Sequence, residues 1–600
     1  MVCIHIQTMN KRNFKICYIT AILLLFAVFL GACNKDTQLP EQDEVESKQE
    51  VEDEVTDQTE QEDDTELAMD NSENDDENIE ADTEGYAMHM GTAEITQVEI
   101  YHEDFEDGET TFAGRGAASV AIANNQAQSG DNSLFVSGRT APWNGATVDL
   151  TSDIKDGVRY IVSAWVFYET GGDKVQFECK VERNGNQYLS FASNIVSPGQ
   201  WTELTGSILI PEGTESASVY FETTSDDPEL VDFYVDNITI YEQTSNIVRG
   251  DIPSLKEIYA DYFSMGVAVT VSEIPPDRHD LIKEQFNSLT TGNELKPDSL
   301  LDHAVCISDP KYDDNPAINF RNAKPILDFA MEANIPVRGH TLVWHAQTPR
   351  WFFTEGYSND ENAPLVSKEL MLKRLENYIK NVLEYSEANY PGLIYCWDVV
   401  NEAINPGEGD PNGLRVKDSL WYEVIGPEFV EKAFEYARKY AAPDVKLFYN
   451  DYNTENTSRK YYILQLAERL KEKGLIDGIG LQSHIGIDSP SLIAISDSIV
   501  EYGETGLEIQ ITELDMGLGD DSEEQLLKQA SRYKRLFVIL KNLEDGEKAN
   551  ITNVTFWGLS DEISWLNKPG IPSYPLLFDK YLLQKPAFWG VVLSPDIPLY

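Results

Sequence analysis

Two glutamates in the C-terminal half of the chain, Glu402 and Glu513, stand at the ends of apolar runs that predict buried strands. They belong to the segments WDVVNEA and ITELD. When two carboxyl groups face each other across a cleft, one can transfer a proton while the other attacks as a nucleophile. Such a pair in a cleft lined by tryptophan is the minimum that hydrolysis of a glycosidic bond requires.

Polar and aromatic side chains follow nearly every other predicted strand of this region. A single carboxylate after a strand is more often a helix N-cap, but a purely structural fold has no need of such residues at nearly every strand end. These residues are Asn293, Lys296, His340, Trp344, Gln347, Asn401, Tyr452, Gln482, His484, Asp515 and Trp557. We interpret them, together with the two glutamates, as parts of one site.

Other chemistries find less support in the sequence. His340 and His345 are five residues apart and no HExxH motif occurs, which argues against a zinc site. The absence of a GxSxG segment argues against a serine nucleophile. The sequence therefore favours carboxylate chemistry.

Eight apolar runs between about residue 254 and the C-terminus predict the strands that position these residues. The runs cover 263–269, 286–290, 337–343, 395–399, 446–449, 479–481, 508–512 and 553–556. Helical or long irregular stretches separate them, which predicts an α/β fold of the parallel (β/α)8 TIM barrel type over residues 254–600. An open doubly wound sheet is the alternative, but no GxGxxG segment follows a strand. Barrel enzymes carry their chemistry at the C-terminal ends of the strands, where these residues stand.

Five segments of this region are specific enough to suggest a family. They are GHTLVWHAQTPRWF (339–352), WDVVNEA (397–403), GLQSH (480–484), ITELD (511–515) and FWGLSDEISWL (556–566). Together they resemble glycoside hydrolase family 10, the endo-β-1,4-xylanases. The resemblance implies that Glu402 is the acid/base and Glu513 the nucleophile, and it adds Trp565 to the residues that line the cleft. Many relatives have Glu before the residue that matches Asn293, where this chain has Gly292.

The retaining mechanism of this family predicts the ionisation of the pair. It requires carboxyl groups only ~5–5.5 Å apart, and at that distance repulsion raises one pKa. We expect the raised pKa at Glu402, which must start protonated, whereas Glu513 must be ionised to attack. His484 and Asp515 are expected to keep Glu513 ionised and oriented. None of these steps needs a cofactor.

Residues 101–245 show a different pattern, with short alternating runs broken by turn residues. This pattern predicts a β-sandwich. The run SGRTAPWNGATVDL (137–150), the turn at 114–116 and the segment YFE (220–222) resemble a family 22 carbohydrate-binding module. The resemblance implies a sugar site formed by Arg115, Trp143, Tyr188, Tyr220 and Glu222. The alternative to this sugar site is that Trp143 and Tyr220 are core aromatics. Many such modules also hold a structural calcium ion, for which Glu106 and Asp236 are the candidate ligands.

The N-terminal residues predict export. Basic residues precede an apolar run that ends in LGAC, which resembles a bacterial lipoprotein processing box. The resemblance implies that residues 1–33 are a signal with cleavage before Cys33 and lipid attachment to it. Between Asp36 and Glu84 there are 23 acidic residues and one basic residue, so we interpret residues 34–100 as an extended acidic linker. We expect a cell-surface protein that contacts the membrane only through this anchor.

Charge limits the range of partners. The net charge of −57 argues against nucleic acid, because phosphate requires clustered Lys and Arg. The resemblance to glycoside hydrolase family 10 implies xylan and xylo-oligosaccharides as partners, and we expect a monomer. Two alternatives remain open: a retaining hydrolase of another β-linked glycan, such as mixed-linkage glucan, or a non-catalytic polysaccharide-binding protein. The latter is expected to have lost Glu402 or Glu513, and both are present.

Overall fold

The computed structural model describes residues 86–185, 187–224, 230–568 and 572–599. The predictions for Cys33 and for the acidic segment up to Glu84 lie outside these residues. No helix in the described part of the chain is long and apolar enough to cross a lipid bilayer. The described residues form a β-sandwich followed by a parallel barrel.

The β-sandwich that the alternating pattern predicts has eleven strands in the described residues. They are β1 (Thr92–Glu103), β2 (Ala113–Arg115), β3 (Ser119–Ala123), β4 (Ser133–Ser137), β5 (Gly145–Asp149), β6 (Arg159–Phe167), β7 (Val175–Arg183), β8 (Gln187–Val196), β9 (Thr202–Leu209), β10 (Ala217–Thr223) and β11 (Phe233–Val248). One sheet has the order β3-β4-β11-β6-β9 with β1 also paired to β11, and the other has the order β2-β5-β10-β7-β8. Alternate residues of β6, among them Val162, Ala164 and Val166, are fully buried in the core between the sheets.

The sandwich begins earlier than predicted. Strand β1 starts at Thr92, within the segment assigned to the linker, and pairs with β11 as far as Val248. Most of its side chains are exposed, so it lacks the apolar alternation that marks the other strands in the sequence. The linker therefore cannot extend to residue 100.

Eight parallel strands close the barrel. They are β12 (Ser264–Val269), β13 (Ser288–Thr291), β14 (Val337–Gly339), β16 (Ile394–Asn401), β17 (Lys446–Asp451), β18 (Gly478–Leu481), β20 (Glu508–Gly517) and β21 (Asn550–Phe556). Each pairs with the next, β21 pairs with β12, and β14 pairs with β16, so among the described residues the sheet is closed on itself. The predicted TIM barrel is confirmed, and the open-sheet alternative is wrong.

The third predicted strand is divided in two. Strand β14 ends at Gly339, and the short strand β15 (Val343–Trp344) resumes the pairing with β16. A side chain at position 339 would meet the ring of Trp397 at 2.4 Å, so only glycine fits there. One further short strand, β19 (His484–Gly486), pairs with β20 beyond β18.

Twelve helices are described, mostly around the barrel. They are α1 (Leu255–Ile258), α2 (Pro276–Gln285), α3 (Pro297–Leu300), α4 (His303–Cys306), α5 (Lys324–Ala333), α6 (Lys368–Asn389), α7 (Leu420–Ile425), α8 (Phe429–Tyr440), α9 (Thr457–Glu472), α10 (Leu492–Gly503), α11 (Glu523–Asp545) and α12 (Pro586–Val591). In α6, Leu375, Tyr378 and Val382 are buried, as the helical periodicity of this stretch predicts. Ser367 caps its N-terminus by accepting a hydrogen bond from the Leu370 amide.

The three cysteines in the described residues are free. Cys179, Cys306 and Cys396 are all buried, and none is paired. A bridge between Cys306 and Cys396, which export would permit, is therefore not formed. Burial raises the thiol pKa of all three, so they behave as small apolar core residues.

Candidate active site

A cleft of about 800 Å³ opens at the C-terminal ends of the barrel strands. Strand ends supply most of its walls, because parallel strands bring the residues that follow them to one end of the barrel. The predicted residues that line it are Asn293, Lys296, His340, Trp344, Gln347, Asn401, Glu402, Tyr452, Gln482, His484, Glu513, Trp557 and Trp565. Asp515 is not among the lining residues; it is buried beside His484.

Glu402 directly follows β16 and adopts a left-handed backbone conformation, with φ of 56°. Its amide donates to the carbonyl oxygen of Asn450 at 2.9 Å. The side chain accepts hydrogen bonds from Gln482 Nε2 and from Trp344 Nε1, each at 2.9 Å. Both donors are neutral, so they orient the carboxyl group without adding a positive charge next to it.

Glu513 lies within β20 and is 4% exposed. Its Oε1 accepts from Asn450 Nδ2 at 2.7 Å, and its Oε2 lies 3.2 Å from His484 Nε2. Asn450 is held in turn, since its Oδ1 accepts from the Thr512 hydroxyl at 2.6 Å. Asn450 therefore contacts both glutamates, one through its main chain and one through its side chain.

Positive charge surrounds Glu513. Burial alone would raise the pKa of its carboxyl group, but His340, His484 and Lys296 outweigh that effect and lower the pKa to about 2. The pKa of His484 shifts in the opposite direction: burial opposes its charge, yet Asp515 and Glu513 raise the pKa to about 10. Nδ1 of His484 lies 3.0 Å from Asp515 Oδ2, a charge contact rather than a well-directed hydrogen bond. Glu513 is thus ionised at neutral pH, as its predicted role requires.

Lys296 is held across the cleft from these groups. Its Nζ contacts Asn293 Oδ1 at 3.0 Å and Gln347 Oε1 at 2.9 Å, and it lies 4.9 Å from the centre of the Trp344 ring. Burial lowers its pKa, against the opposing charge of Glu513. His340 is oriented from below by Asp398, whose Oδ2 lies 2.9 Å from His340 Nδ1.

Two tryptophans form the wall beyond the glutamates. Trp557 meets His340 edge to face at 5.3 Å between ring centres. Trp565 is 60% exposed, and its indole N–H donates to Asp515 Oδ2 at 2.8 Å. An exposed indole fixed by one hydrogen bond offers a flat apolar surface to a sugar ring.

Sequence reasoning assigned no role to Asn450 and His345, although both stand at the ends of predicted strands, and it missed Arg415 altogether. Arg415 is buried. Its Nε donates to the Glu402 carbonyl oxygen at 3.2 Å, and its Nη2 donates to the Tyr452 hydroxyl at 3.0 Å. No strand end precedes Arg415, so its position gave no signal. Burial lowers the pKa of His345 to about 4, which leaves its ring neutral in the cleft.

The five predicted sugar-binding residues of the sandwich also come together, on the sheet that contains β2, β5, β7, β8 and β10. The guanidinium carbon of Arg115 lies 5.5 Å from the ring centre of Trp143 and 5.6 Å from that of Tyr188. Its Nη1 donates to Glu222 Oε2 at 2.9 Å. Trp143 is 54% exposed and Tyr188 55%, so both rings are open to a ligand.

Tyr220 and Glu222, in contrast to the two exposed rings, are buried. Tyr220 is 1% exposed, because Arg115 covers its ring at 4.0 Å. It therefore supports the arginine from below, and its part in a sugar site stays a prediction. Lys180, which sequence reasoning missed, contacts Glu222 Oε1 at 2.9 Å.

Comparison with known proteins agrees with both parts of the structure. The family model described as glycosyl hydrolase family 10 matches residues 254–594, and that of a carbohydrate binding domain matches residues 99–228. Endo-1,4-beta-xylanase A of Thermotoga maritima is 40% identical over 521 residues, which cover 83% of this chain and 46% of that protein. The chain spans about half the length of the first curated relatives that it matches.

Two solved structures are similar as well. The CBM22-1–GH10 modules of endo-1,4-beta-D-xylanase 10B from Clostridium thermocellum, complexed with xylohexaose, are 31% identical with a TM-score of 0.54 and cover 84% of this chain and 98% of that one. An intracellular xylanase of Thermoanaerobacterium saccharolyticum is 42% identical with a TM-score of 0.50 and covers 57% of this chain and 99% of that one. An N-terminal carbohydrate-binding module thus precedes the barrel, and by its match over residues 254–594 the chain belongs to glycosyl hydrolase family 10.

Proposed function

We propose that this protein is an endo-1,4-β-xylanase that retains the anomeric configuration of its substrate. The observation that carries the proposal is the pair of glutamates in one cleft, Glu513 among cationic groups and Glu402 among neutral donors. Family 10 is a retaining family. The names of the relatives and the xylohexaose bound to the Clostridium thermocellum modules support xylan as the substrate.

In the first step, Glu513 attacks the anomeric carbon while protonated Glu402 gives its proton to the leaving oxygen. The glycosidic bond breaks, and an ester joins the sugar to Glu513. In the second step, water attacks the anomeric carbon, Glu402 takes a proton from that water, and the ester bond to Glu513 breaks. The enzyme returns to its starting state, and no step requires a metal ion or cofactor.

The residues around the pair have separate tasks. His484 and Lys296 keep Glu513 ionised, and Asn450 orients it. Trp557 and Trp565 provide surfaces on which the xylose rings stack. The module binds the polymer through Trp143, Tyr188 and Arg115 and so raises the local concentration of substrate.

Initial rates on xylan, on mixed-linkage β-glucan and on cellulose test the substrate class. Xylan is expected to be cleaved fastest, at bonds within the chain. The newly formed reducing ends are expected to have the β-configuration at the anomeric carbon. Faster cleavage of a glucan would support the alternative substrate, and α-configured products would contradict the mechanism. Absence of hydrolysis on all three would favour a polysaccharide-binding protein.

A structural calcium ion in the module is a second proposal. Glu106 Oε1 accepts from the amides of Asp131 and Asn132, and Asp236 Oδ2 accepts from those of Gln128 and Ser129, so both carboxylates converge on one loop. Burial raises the pKa of Asp236, and the charge of Glu106 raises it further. A cation near the two carboxylates would offset this repulsion, which supports a calcium ion there. Because the described residues hold no cluster of three ligating side chains, main-chain oxygens would have to complete the shell.

Thermal unfolding in calcium and in EDTA tests this site. The chelator is expected to lower the Tm of the wild type, and Glu106→Gln is expected to remove that difference. Equal Tm values of the wild type in both conditions would contradict the proposal.

We also propose that the protein is an exported, lipid-anchored monomer. The lipoprotein-like box at Cys33 and the acidic segment that follows it support the anchor. A polymer that cannot enter the cell requires an enzyme placed outside it.

A further inference from the structure

The backbone at Glu402 needs external support. A non-glycine residue at φ of 56° is in the left-handed region, which is disfavoured because Cβ approaches the following carbonyl oxygen. Such conformations persist only when the surroundings hold them. The turn from Glu402 to Ile404 must therefore be fixed by other parts of the barrel.

Both polar backbone atoms of Ile404 are held by side chains from elsewhere. Its amide donates to the Tyr449 hydroxyl oxygen at 3.0 Å, and its carbonyl oxygen accepts from Arg459 Nη1. Tyr449 lies on β17 and Arg459 on α9, so two different elements hold the peptide groups on either side of the Ile404 Cα.

A single carboxylate connects these two side chains. Asp451, at the end of β17, accepts from the Tyr449 hydroxyl through Oδ2 and from Arg459 Nη1 at 2.9 Å through Oδ1. Its Oδ1 also accepts from the Tyr452 amide at 2.9 Å. The contacts close a ring that runs from Asp451 through Tyr449, Ile404 and Arg459 back to Asp451.

Asp451 has no exposed surface. Burial raises its pKa to about 7 against the opposing charge of Arg459, and the charge of Glu402 adds to the increase. Burial of a charge is costly, and replacing a buried ion pair with well-packed apolar side chains of similar size often leaves the protein equally or more stable. Fold stability alone therefore gives little reason for a carboxylate at this point. Its hydrogen bonds to Tyr449 and Arg459, which hold the Glu402 turn, do give a reason.

We propose that Asp451 is a positioning residue for the acid/base: through Tyr449 and Arg459 it holds the turn that aims the Glu402 carboxyl group at the leaving oxygen. The proposal rests on the proposed function. It assigns to Asp451 no contact with substrate. Its effect must therefore appear only in steps that use the Glu402 proton.

Leaving groups of different acidity separate this role from a general structural one. The oxygen of a departing sugar must be protonated as the bond breaks, whereas 2,4-dinitrophenolate leaves without a proton. In Asp451→Asn, kcat/KM for xylotetraose is expected to fall by about 10²-fold, the scale of a small misplacement of a reacting group. For 2,4-dinitrophenyl β-xylobioside, kcat/KM is expected to stay near the wild-type value.

Two further variants make the result decisive. Tyr449→Phe keeps the ring and Asp451 but removes the hydroxyl link to Ile404, and it should show the same pattern even if Asp451→Asn does not fold. Asp477→Asn is the matched control, because that carboxylate accepts from Arg438 Nη2 at 2.6 Å and from the amide of Leu447, at the other end of β17. The control should not change the ratio of the two kcat/KM values.

A parallel loss on both substrates in folded Asp451→Asn and Tyr449→Phe, or no loss on either, would overturn the proposal. If the wild type hydrolyses neither substrate, the proposed function itself fails and the inference fails with it. If the wild type is active on both substrates, the proposed function holds, and a wrong pattern in the variants then contradicts only the role of Asp451.

Discussion

The chemical difference between the two glutamates arises from the charge of their hydrogen-bond partners. Glu513 contacts His484, whose raised pKa keeps it charged, whereas Glu402 contacts an amide and an indole. Cationic neighbours favour the ionised form that a nucleophile needs. The neutral donors orient Glu402 without that bias, which suits a group that must gain and lose a proton.

Azide rescue distinguishes the two roles. In Glu402→Ala, hydrolysis of xylan is expected to fall by about 10²–10⁴-fold, the usual contribution of a general acid. Azide should then give a β-glycosyl azide, because the covalent intermediate still forms. In Glu513→Ala, azide should attack from the vacated side and give an α-product. The anomeric NMR signals of the products check this, and exchanged products or wild-type activity would refute the assignment.

The charge on His484 predicts a shift in pH dependence. His484 helps to lower the pKa of Glu513 to about 2, below the value of about 4.3 for an unperturbed glutamate. In His484→Asn that contribution is lost, so the pKa of Glu513 should rise and the acid limb of kcat/KM should move to higher pH. A pH profile of kcat/KM on xylotetraose measures this.

Trp565→Phe serves as the control for that shift, since it removes the hydrogen bond to Asp515 but retains the imidazole. Its activity is expected to fall, but its acid limb should stay near that of the wild type. An unchanged acid limb in His484→Asn would show that His484 does not set the ionisation of Glu513.

At the scale of elements, strand β17 supports both the nucleophile and the acid/base. Strand β17 presents Asn450 to both glutamates, and the next residue, Asp451, holds the turn after β16 through Tyr449 and Arg459. Neighbouring parallel strands end at the same face of the barrel, so a residue at one strand end can support the catalytic group of the next. The sandwich uses a sheet face in a comparable way, with Arg115 on β2 resting on Tyr220 of β10.

Trp143→Ala tests the function of that sheet face. Loss of one exposed aromatic contact worth about 1.4 kcal/mol weakens binding about 10-fold. Affinity electrophoresis in soluble xylan should show this loss, while kcat/KM for xylotetraose should stay unchanged. Trp201→Phe, directly before β9 of the other sheet and packed against Phe167 at 5.4 Å, should not alter xylan binding. Equal losses in binding and in xylotetraose turnover would mean that the two domains share one site.

At the scale of the whole molecule, the anchor predicts where activity is found. Cys33→Ser should move xylanase activity from the membrane fraction to the medium without lowering it. Each buried CH₂ of a lipid chain contributes about 0.8 kcal/mol, so more than one chain holds the protein firmly. Cell fractionation followed by xylanase assay measures the distribution. The anchor hypothesis fails if the variant stays with membranes or if the wild type is already free.

The sequence alone determined the fold class of both domains and the membership of the cleft. The barrel strands are short apolar runs in a regular order with helices, and in a parallel barrel the residues after such runs must meet at one end. For that reason twelve residues of the cleft, from Asn293 to Trp557, could be predicted from strand ends alone, and the family resemblance added Trp565. The ionised state of Glu513 was expected from the nucleophile role that the family resemblance implies, with His484 and Asp515 as its expected support.

The tertiary structure decided which atoms hold these residues and which of them are open to a ligand. Strand β1 lacks apolar alternation, so only its pairing with β11 reveals it. Tyr220 is covered by Arg115, which comes from a distant segment of the chain. Asp451 acts on Ile404 through Tyr449 and Arg459, and such contacts depend on how strand and helix ends pack. Periodicity records which side of an element is buried, but the hydrogen-bond partner of a buried polar group is set only when separate elements meet.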